Sequence, residues 1–140
     1  MENIFVDADV LIGLNDNFDP LHEKAIQLSK VLYKKSVSLV TGTNILIEVV
    51  TLLSQRLGHK KAVEFLAELR SGNTKVIHPS QETVFEAEEI FKRQTSKNVS
   101  YSDCVSFAIM RDQKIRVAFS FDRDFKKNGF TLLEEYLRKN

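Results

Sequence analysis

The chain of 140 residues has one cysteine, two prolines, five glycines and no tryptophan. The lone Cys104 excludes an internal disulfide and fits a reducing compartment. With so little proline and glycine there is no flexible linker, so one domain over residues 1–140 is expected. Charge of one sign is also missing: 20 basic against 19 acidic residues leave a net +1, so no global field draws the chain to nucleic acid or membrane. Any nucleic-acid site must therefore be a local patch. No apolar run approaches the ~20 residues of a membrane span, and the first residues lack the charged-then-apolar pattern and small-residue cleavage site of a signal segment. A soluble cytoplasmic protein with no membrane partner is the expectation. Neither an internal repeat nor a low-complexity segment is present.

A chain this long can bury roughly 68% of its unfolded surface, and its 43% hydrophobic content supplies a core. Asn3–Val6 reads as a buried strand and Ala8–Asn15 as a short helix or turn. Asp19-Pro20 reads as a helix start, an Asp cap followed by a residue with φ already fixed. That helix is expected to run to about Lys35, with Leu21, Ala25, Leu28 and Leu32 on one face. Val37–Thr41 reads as a second strand. Helices follow over Thr43–Leu57, stopped by Gly58, and His59–Ser71, stopped by Gly72, the latter with Ala62, Val63, Leu66 and Leu69 as its core stripe. Thr74–His78 is a third strand. Ser80–Ser96 is an amphipathic helix with Val84, Ala87 and Phe91 inward, and Ser100–Gln113 is another helix. Arg116–Phe121 is a fourth strand, Phe130–Leu133 a candidate edge strand, and Glu134–Lys139 a terminal helix. Strands alternating with helices imply a three-layer α/β/α sandwich around a parallel sheet of four to five strands.

The acids stand at informative places. Asp7 closes the apolar run Ile4-Phe5-Val6, and Asp122 closes Val117–Phe121. In open parallel sheets, ligands bind at the carboxyl ends of strands. Asp7 or Asp9 also suits a helix cap. Glu48 interrupts an aliphatic helix on a stripe with Asn44, Thr51 and Gln55, which reads either as a solvated face or as the wall of a polar cleft. Asp103 lies in Ser100-Tyr101-Ser102-Asp103, close to a capping box; a helix start also favours an ionised carboxylate. Asp122 and Asp124 could instead shape a turn. Acids with few His and one Cys point to Mg²⁺ or Mn²⁺ rather than zinc.

Together these residues resemble the PIN-domain family, and within it the VapC-like toxin ribonucleases. The resemblance rests on Phe5-Val6-Asp7-Ala8-Asp9-Val10-Leu11, then Asp19-x-x-His22-x-x-Ala25, then Thr43 through Glu48-Val49, then Tyr101-Ser102-Asp103. It ends with Phe119-Ser120-Phe121-Asp122-Arg123-Asp124-Phe125 and Gly129-Phe130. It implies a Mg²⁺- or Mn²⁺-dependent endoribonuclease that hydrolyses RNA phosphodiesters, with Asp7, Glu48, Asp103 and Asp122 as its acidic quartet. Asp7, Asp103 and Asp122 are the main metal ligands in this reading; Glu48, Asp9 and Asp124 are further candidates. Asp9 stands where the family more often has a neutral polar residue and would add a fifth acid. Thr43, Ser120 and Arg123 are candidates for holding substrate or waters around the acids. The resemblance also implies a homodimer and a small antitoxin protein as partner.

Arg111, Lys114, Arg116, Arg123, Lys126 and Lys127 are close in sequence and could line an RNA groove, or form a solvated surface balanced by neighbouring acids. His22 is expected to tuck against its own helix, and Cys104, Phe107, Ile109 and Met110 to be core. Apolar stripes within Leu28–Tyr33 or Val63–Leu69 could make a dimer face. Two rival functions are set beside the nuclease. One is a haloacid-dehalogenase-like phosphatase with Asp7 as covalent nucleophile and Asp9 as acid/base; it leaves Glu48 and Asp103 without work. The other is a non-catalytic PIN-like scaffold binding RNA or protein, whose mark would be a missing acid.

Overall fold

In the computed structural model, which describes residues 2–139, strands and helices alternate as read. The elements are β1 (Glu2–Val6), α1 (Ala8–Asn15), α2 (His22–Tyr33), β2 (Val37–Gly42), α3 (Thr43–Leu57), α4 (His59–Ser71), β3 (Lys75–Ile77), α5 (Gln81–Arg93), α6 (Tyr101–Asp112), β4 (Val117–Phe119), α7 (Asp124–Lys127), β5 (Thr131–Leu132) and α8 (Leu133–Lys139). All strand pairs are parallel, in the order β3-β2-β1-β4-β5. The first strand is therefore the central one. Ile4, Phe5 and Val6 are buried, as expected of a parallel strand covered on both faces. After β1 the chain builds outward to one side through β2 and β3, then crosses to the other side for β4 and β5. The strand order reverses between β1 and β4, and the crevice at such a switch point is where open α/β sheets bind ligands.

Aromatic packing fixes the segment beyond β4. Phe125 is fully buried against Phe107 of α6, with ring centroids 5.0 Å apart at 89°, and it also meets Phe5 and Phe130. Edge-to-face pairs of this kind add about 0.5–1.5 kcal/mol beyond burial. They seat the one-turn helix α7, which the hydrophobic pattern did not reveal because four residues carry no period. Cys104, Phe107, Ile109 and Met110 are core, as expected.

Several boundaries differ from expectation. Asp19-Pro20 does not start a helix: α2 begins at His22 after Leu21, with no side-chain cap. Asp19 belongs instead to a turn, its carbonyl accepting the His22 N–H, while Asp16 bonds the Phe18 N–H and pairs with Arg56 of α3 at 3.2 Å. β4 ends at Phe119, because the N–H groups of Phe121 and Asp122 turn to side-chain acceptors. α5 stops at Arg93 and buries Thr83, Ala87 and Ile90, leaving Phe91 exposed. The stripes 84-87-91 and 83-87-90 are both helical, so periodicity alone could not choose between them. In α4 the buried residues are Ala62 and Phe65, and Val63 faces water. His22 reaches across to α1, its Nδ1 lying 2.7 Å from the Gly13 carbonyl oxygen, rather than folding back on α2.

Gly42 ends β2 where α3 and α6 converge. A Cβ there would come within 2.7 Å of Ile109 Cδ1 and would overlap the Asn44 side-chain oxygen. Gly42→Ala should destabilise the protein by about 1–3 kcal/mol, the usual scale of overpacking, read as a lower denaturant midpoint with an unchanged slope.

Candidate active site

Asp7 sits at the carboxyl end of the central strand and is 6% exposed. Its Oδ1 accepts the Ala8 N–H at 2.8 Å, capping α1, and its Oδ2 accepts the Ser120 hydroxyl at 2.7 Å. The cap and the strand-end acid are thus one residue with both oxygens engaged. Ser120 continues the chain of contacts, its Oγ accepting the Asp122 N–H at 3.0 Å. Asp9 stands one residue inside α1 and takes the Phe121 N–H on Oδ2 at 2.9 Å, while its buried Oδ1 has no hydrogen-bond partner. Buried polar atoms are rarely left so. Thr41, which pattern reading passed over, is fully buried and donates its hydroxyl to the Val6 carbonyl at 2.8 Å, locking β2 to β1 beside Asp7.

Three acids converge directly. One carboxylate oxygen each from Asp103, Asp122 and Asp124 lie within 4.8 Å of one another. Asp103 also closes a capping box, with Ser100 Oγ accepting its N–H and its Oδ2 accepting the Ser100 N–H, both at 2.9 Å. Asp122 Oδ1 accepts the Asp124 N–H at 2.9 Å, shaping the turn into α7. For both residues the capping or turn role coexists with convergence, since each carboxylate has a second oxygen.

Glu48 lies exposed on α3 and contributes charge from the rim. Its pKa is raised, first by partial burial and then by the charge of Asp103. Asn44, one turn earlier, fixes this helix to α6: its Nδ2 donates to the Ser102 carbonyl at 2.9 Å, to Ser102 Oγ at 3.2 Å and to Ser106 Oγ at 3.0 Å. It is the polar stripe residue with a defined partner; Thr51 and Gln55 face solvent. Thr43 is placed differently from Ser120, its hydroxyl lying between the Ile77 carbonyl and His78 rather than on an acid.

The electrostatics agree with one shared pocket. Burial pushes Asp7 well above the usual carboxylate range, and the charges of Asp9 and Asp103 add to it. Asp9 is raised to about 6 by burial, with Asp122 and Asp19 contributing. Asp103 and Asp122 are likewise raised by burial and by neighbouring acids. Like charges this close disfavour full ionisation. The donor set fits a hard divalent cation: it is all carboxylate oxygen, its oxygens lie within 4.8 Å of one another, and opposite ligands of Mg²⁺ stand about 4.2 Å apart. Asp103, Asp122 and Asp124 would hold it, with Asp7 behind them through Ser120.

The six neighbouring cations do not form one patch. Arg116 precedes β4, at the opposite end of the strands from the acids. Arg123, Lys126 and Lys127 instead line a cavity that Ser120 also borders.

The raised acids set a pH dependence. With its pKa pushed up to about 6, above the ordinary carboxylate range of the unfolded chain, Asp9 holds its proton more tightly in the folded state. Stability of the metal-free protein should therefore fall as pH rises through that window. Asp9→Asn in EDTA should raise the melting temperature at pH 7.5 and leave it unchanged near pH 3.5. An equal shift at both pH values would exclude the charge as cause.

The phosphatase reading is not favoured. Its nucleophile, Asp7, has both oxygens bonded, and Asp9 is turned onto the Phe121 N–H. Comparison with known proteins agrees. A PIN-domain profile matches residues 4–131. The chain is 33% identical over 127 residues to the 23S rRNA-specific endonuclease VapC20 of Mycobacterium tuberculosis, covering 91% of this chain and 95% of that one. The crystal structure of that protein, described as a Sarcin-Ricin loop cleaving toxin, superposes with a TM-score of 0.82 over 91% of this chain and 96% of that chain. VapBC2 from Rickettsia felis, solved on a DNA fragment from its promoter, shares the fold at a TM-score of 0.63 and 12% identity, covering 93% and 96%. With the acids gathered at the β1–β4 switch point, and with this similarity along most of its length, the chain belongs to the PIN-domain family.

Proposed function

We propose that the protein is a divalent-metal-dependent endoribonuclease, acting as the toxin of a toxin–antitoxin pair. The observation that carries this reading is the meeting of Asp103, Asp122 and Asp124 at the switch point, with Asp7 joined to them through Ser120. A bound Mg²⁺ or Mn²⁺ would supply Lewis-acid polarisation of a phosphoryl oxygen and an acidified water. The rest falls to the chain's own groups. Asp103, Asp122 and Asp124 hold the ion, Asp7 and Asp9 add negative charge behind it, and Ser120 orients Asp7. Glu48 stands on the rim, where it can orient the attacking water or add a ligand. Burial and the charge of Asp103 raise its pKa, which favours its taking up a proton.

The curated relative acts on 23S rRNA, which supports a structured RNA as substrate here. Solved VapBC neighbours support a small antitoxin as partner. No helix among the described residues is long and apolar enough to cross a membrane, which agrees with a cytoplasmic site of action. A homodimer is supported by exposed apolar groups on neighbouring elements. Phe85 and Phe91 lie on α5, Tyr101 packs its ring 6.2 Å from that of Phe91, and Ile47 adjoins Glu48. They stand beside the α2 and α4 stripes, where Tyr33 and Val63 are exposed too, as candidates for the dimer face. Ile47→Asp with Phe85→Asp should shift the mass measured by light scattering from dimer to monomer.

For the chemistry, single-stranded and structured RNA should be cut in Mn²⁺ or Mg²⁺ and spared in EDTA. Asp7→Asn and Asp103→Asn should each lose roughly 10²-fold or more in kcat/KM, at least ~2.7 kcal/mol of transition-state stabilisation. Glu48→Gln should be comparably damaging. A fully active Glu48→Gln, or cleavage that persists in EDTA, would overturn the metal-nuclease reading.

A further inference from the structure

Beside the acids, and sharing Ser120 with them, a cavity of about 570 Å³ opens between α2, the segment joining β4 to α7, and α8. Five cations line it: Lys24, Arg123, Lys126, Lys127 and Arg138. Two carboxylates, Glu134 and Glu135, stand among them, so positive charge is in excess. The pairing is uneven. Lys24 meets Glu134 at 3.0 Å, Lys126 meets Glu135 at 3.4 Å, and Lys127 reaches Asp124 at 3.9 Å. Among the described residues, the guanidinium groups of Arg123 and Arg138 have neither an ion pair nor a hydrogen-bond partner.

A chain with net charge +1 thus concentrates unpaired arginine around one cavity. Arginine presents a planar fork of donors that matches two phosphate oxygens at once. A phosphodiester offers acceptors and one negative charge and no donors, which suits a wall of donors. Phe121 completes the site: its ring lies under Lys24 Nζ, 5.2 Å from the centroid, and such rings accept a stacked base irrespective of sequence. Position selects the ligand. Ser120 borders the cavity while its hydroxyl holds Asp7 and the Asp122 N–H. Through Ser120 and Arg123 the cavity adjoins the acids, so one strand could place one phosphate at each.

We infer that this cavity binds a backbone phosphate of the RNA strand flanking the phosphate attacked at the acids, with Arg123 and Arg138 as its principal contacts. The inference rests on the endoribonuclease reading and specifies how that site holds its substrate. It is tested by fluorescence anisotropy of a labelled single-stranded RNA in EDTA, where nothing is cut, as a function of salt. Arg138→Gln and Arg123→Gln should each reduce the slope of log affinity against log salt by about 0.7, which is about fivefold weaker binding at 0.1 M. Glu134→Gln should tighten binding. Arg116→Gln, the same charge change at the far end of β4, should leave it unaltered. In Mn²⁺, Arg138→Gln should raise KM at unchanged kcat. Wild-type slopes and affinities in both arginine variants overturn the inference even if RNA is cleaved, as does undetectable binding by the wild type. Displacement of RNA by an oligo-aspartate at equal charge concentration assigns the cavity to an acidic protein segment instead, and also overturns it. Slopes that respond as expected while wild type leaves RNA uncut in Mn²⁺ would sink the nuclease reading and keep the phosphate site.

Discussion

The organising constraint of this molecule is repulsion among carboxylates. Asp7, Asp9, Asp103, Asp122 and Asp124 gather at the carboxyl ends of β1 and β4, with Glu48 at the rim, and the first four have raised pKa values through burial and one another's charge. Such a group does not stay together by its own attraction. The surrounding structure must hold it, and much of the fold can be understood as that restraint.

The restraint is made of backbone donors, one hydroxyl and a packed aromatic cluster. Ala8, Phe121 and Asp124 point N–H groups at Asp7, Asp9 and Asp122, and Ser100 points one at Asp103. Each bond favours the charged form of its acid and offsets part of the desolvation. Ser120 joins β1's acid to the Asp122 turn. Phe125, buried against Phe107 and Phe5, anchors the short helix that carries Asp124. Asn44 ties the helix of Glu48 to the helix of Asp103. Protein cores are close-packed and transmit strain, so small losses here would move the acids apart rather than be absorbed.

The surface beside the acids carries the opposite sign. Acids that attract a cation and arginines that attract a phosphate adjoin at Ser120 and Arg123. A nearly neutral chain can engage a polyanion in this way because the positive charge is local, and local fields act within a Debye length of about 8–10 Å.

The sequence was a good guide to the sheet and to most helices, because apolar runs and 3.6-residue stripes are direct consequences of burial. It placed Asp7 at the end of β1 and Ser100–Asp103 at a helix start, since capping chemistry is local. It could not place Phe91 outside and Ile90 inside, because adjacent helical phases share Ala87, and only packing against α6 selects one. It missed α7 and Thr41 for a related reason: one turn has no period, and a strand threonine looks the same whether its hydroxyl meets water or the Val6 carbonyl. It favoured Asp122 over Asp124 as the fourth acid, and the fold brings both to Asp103. Composition and spacing thus determined which residues could carry the chemistry and on which elements. Their meeting was decided by tertiary structure, because residues 7, 103 and 122 become neighbours only when the chain crosses the sheet and sets β4 beside β1.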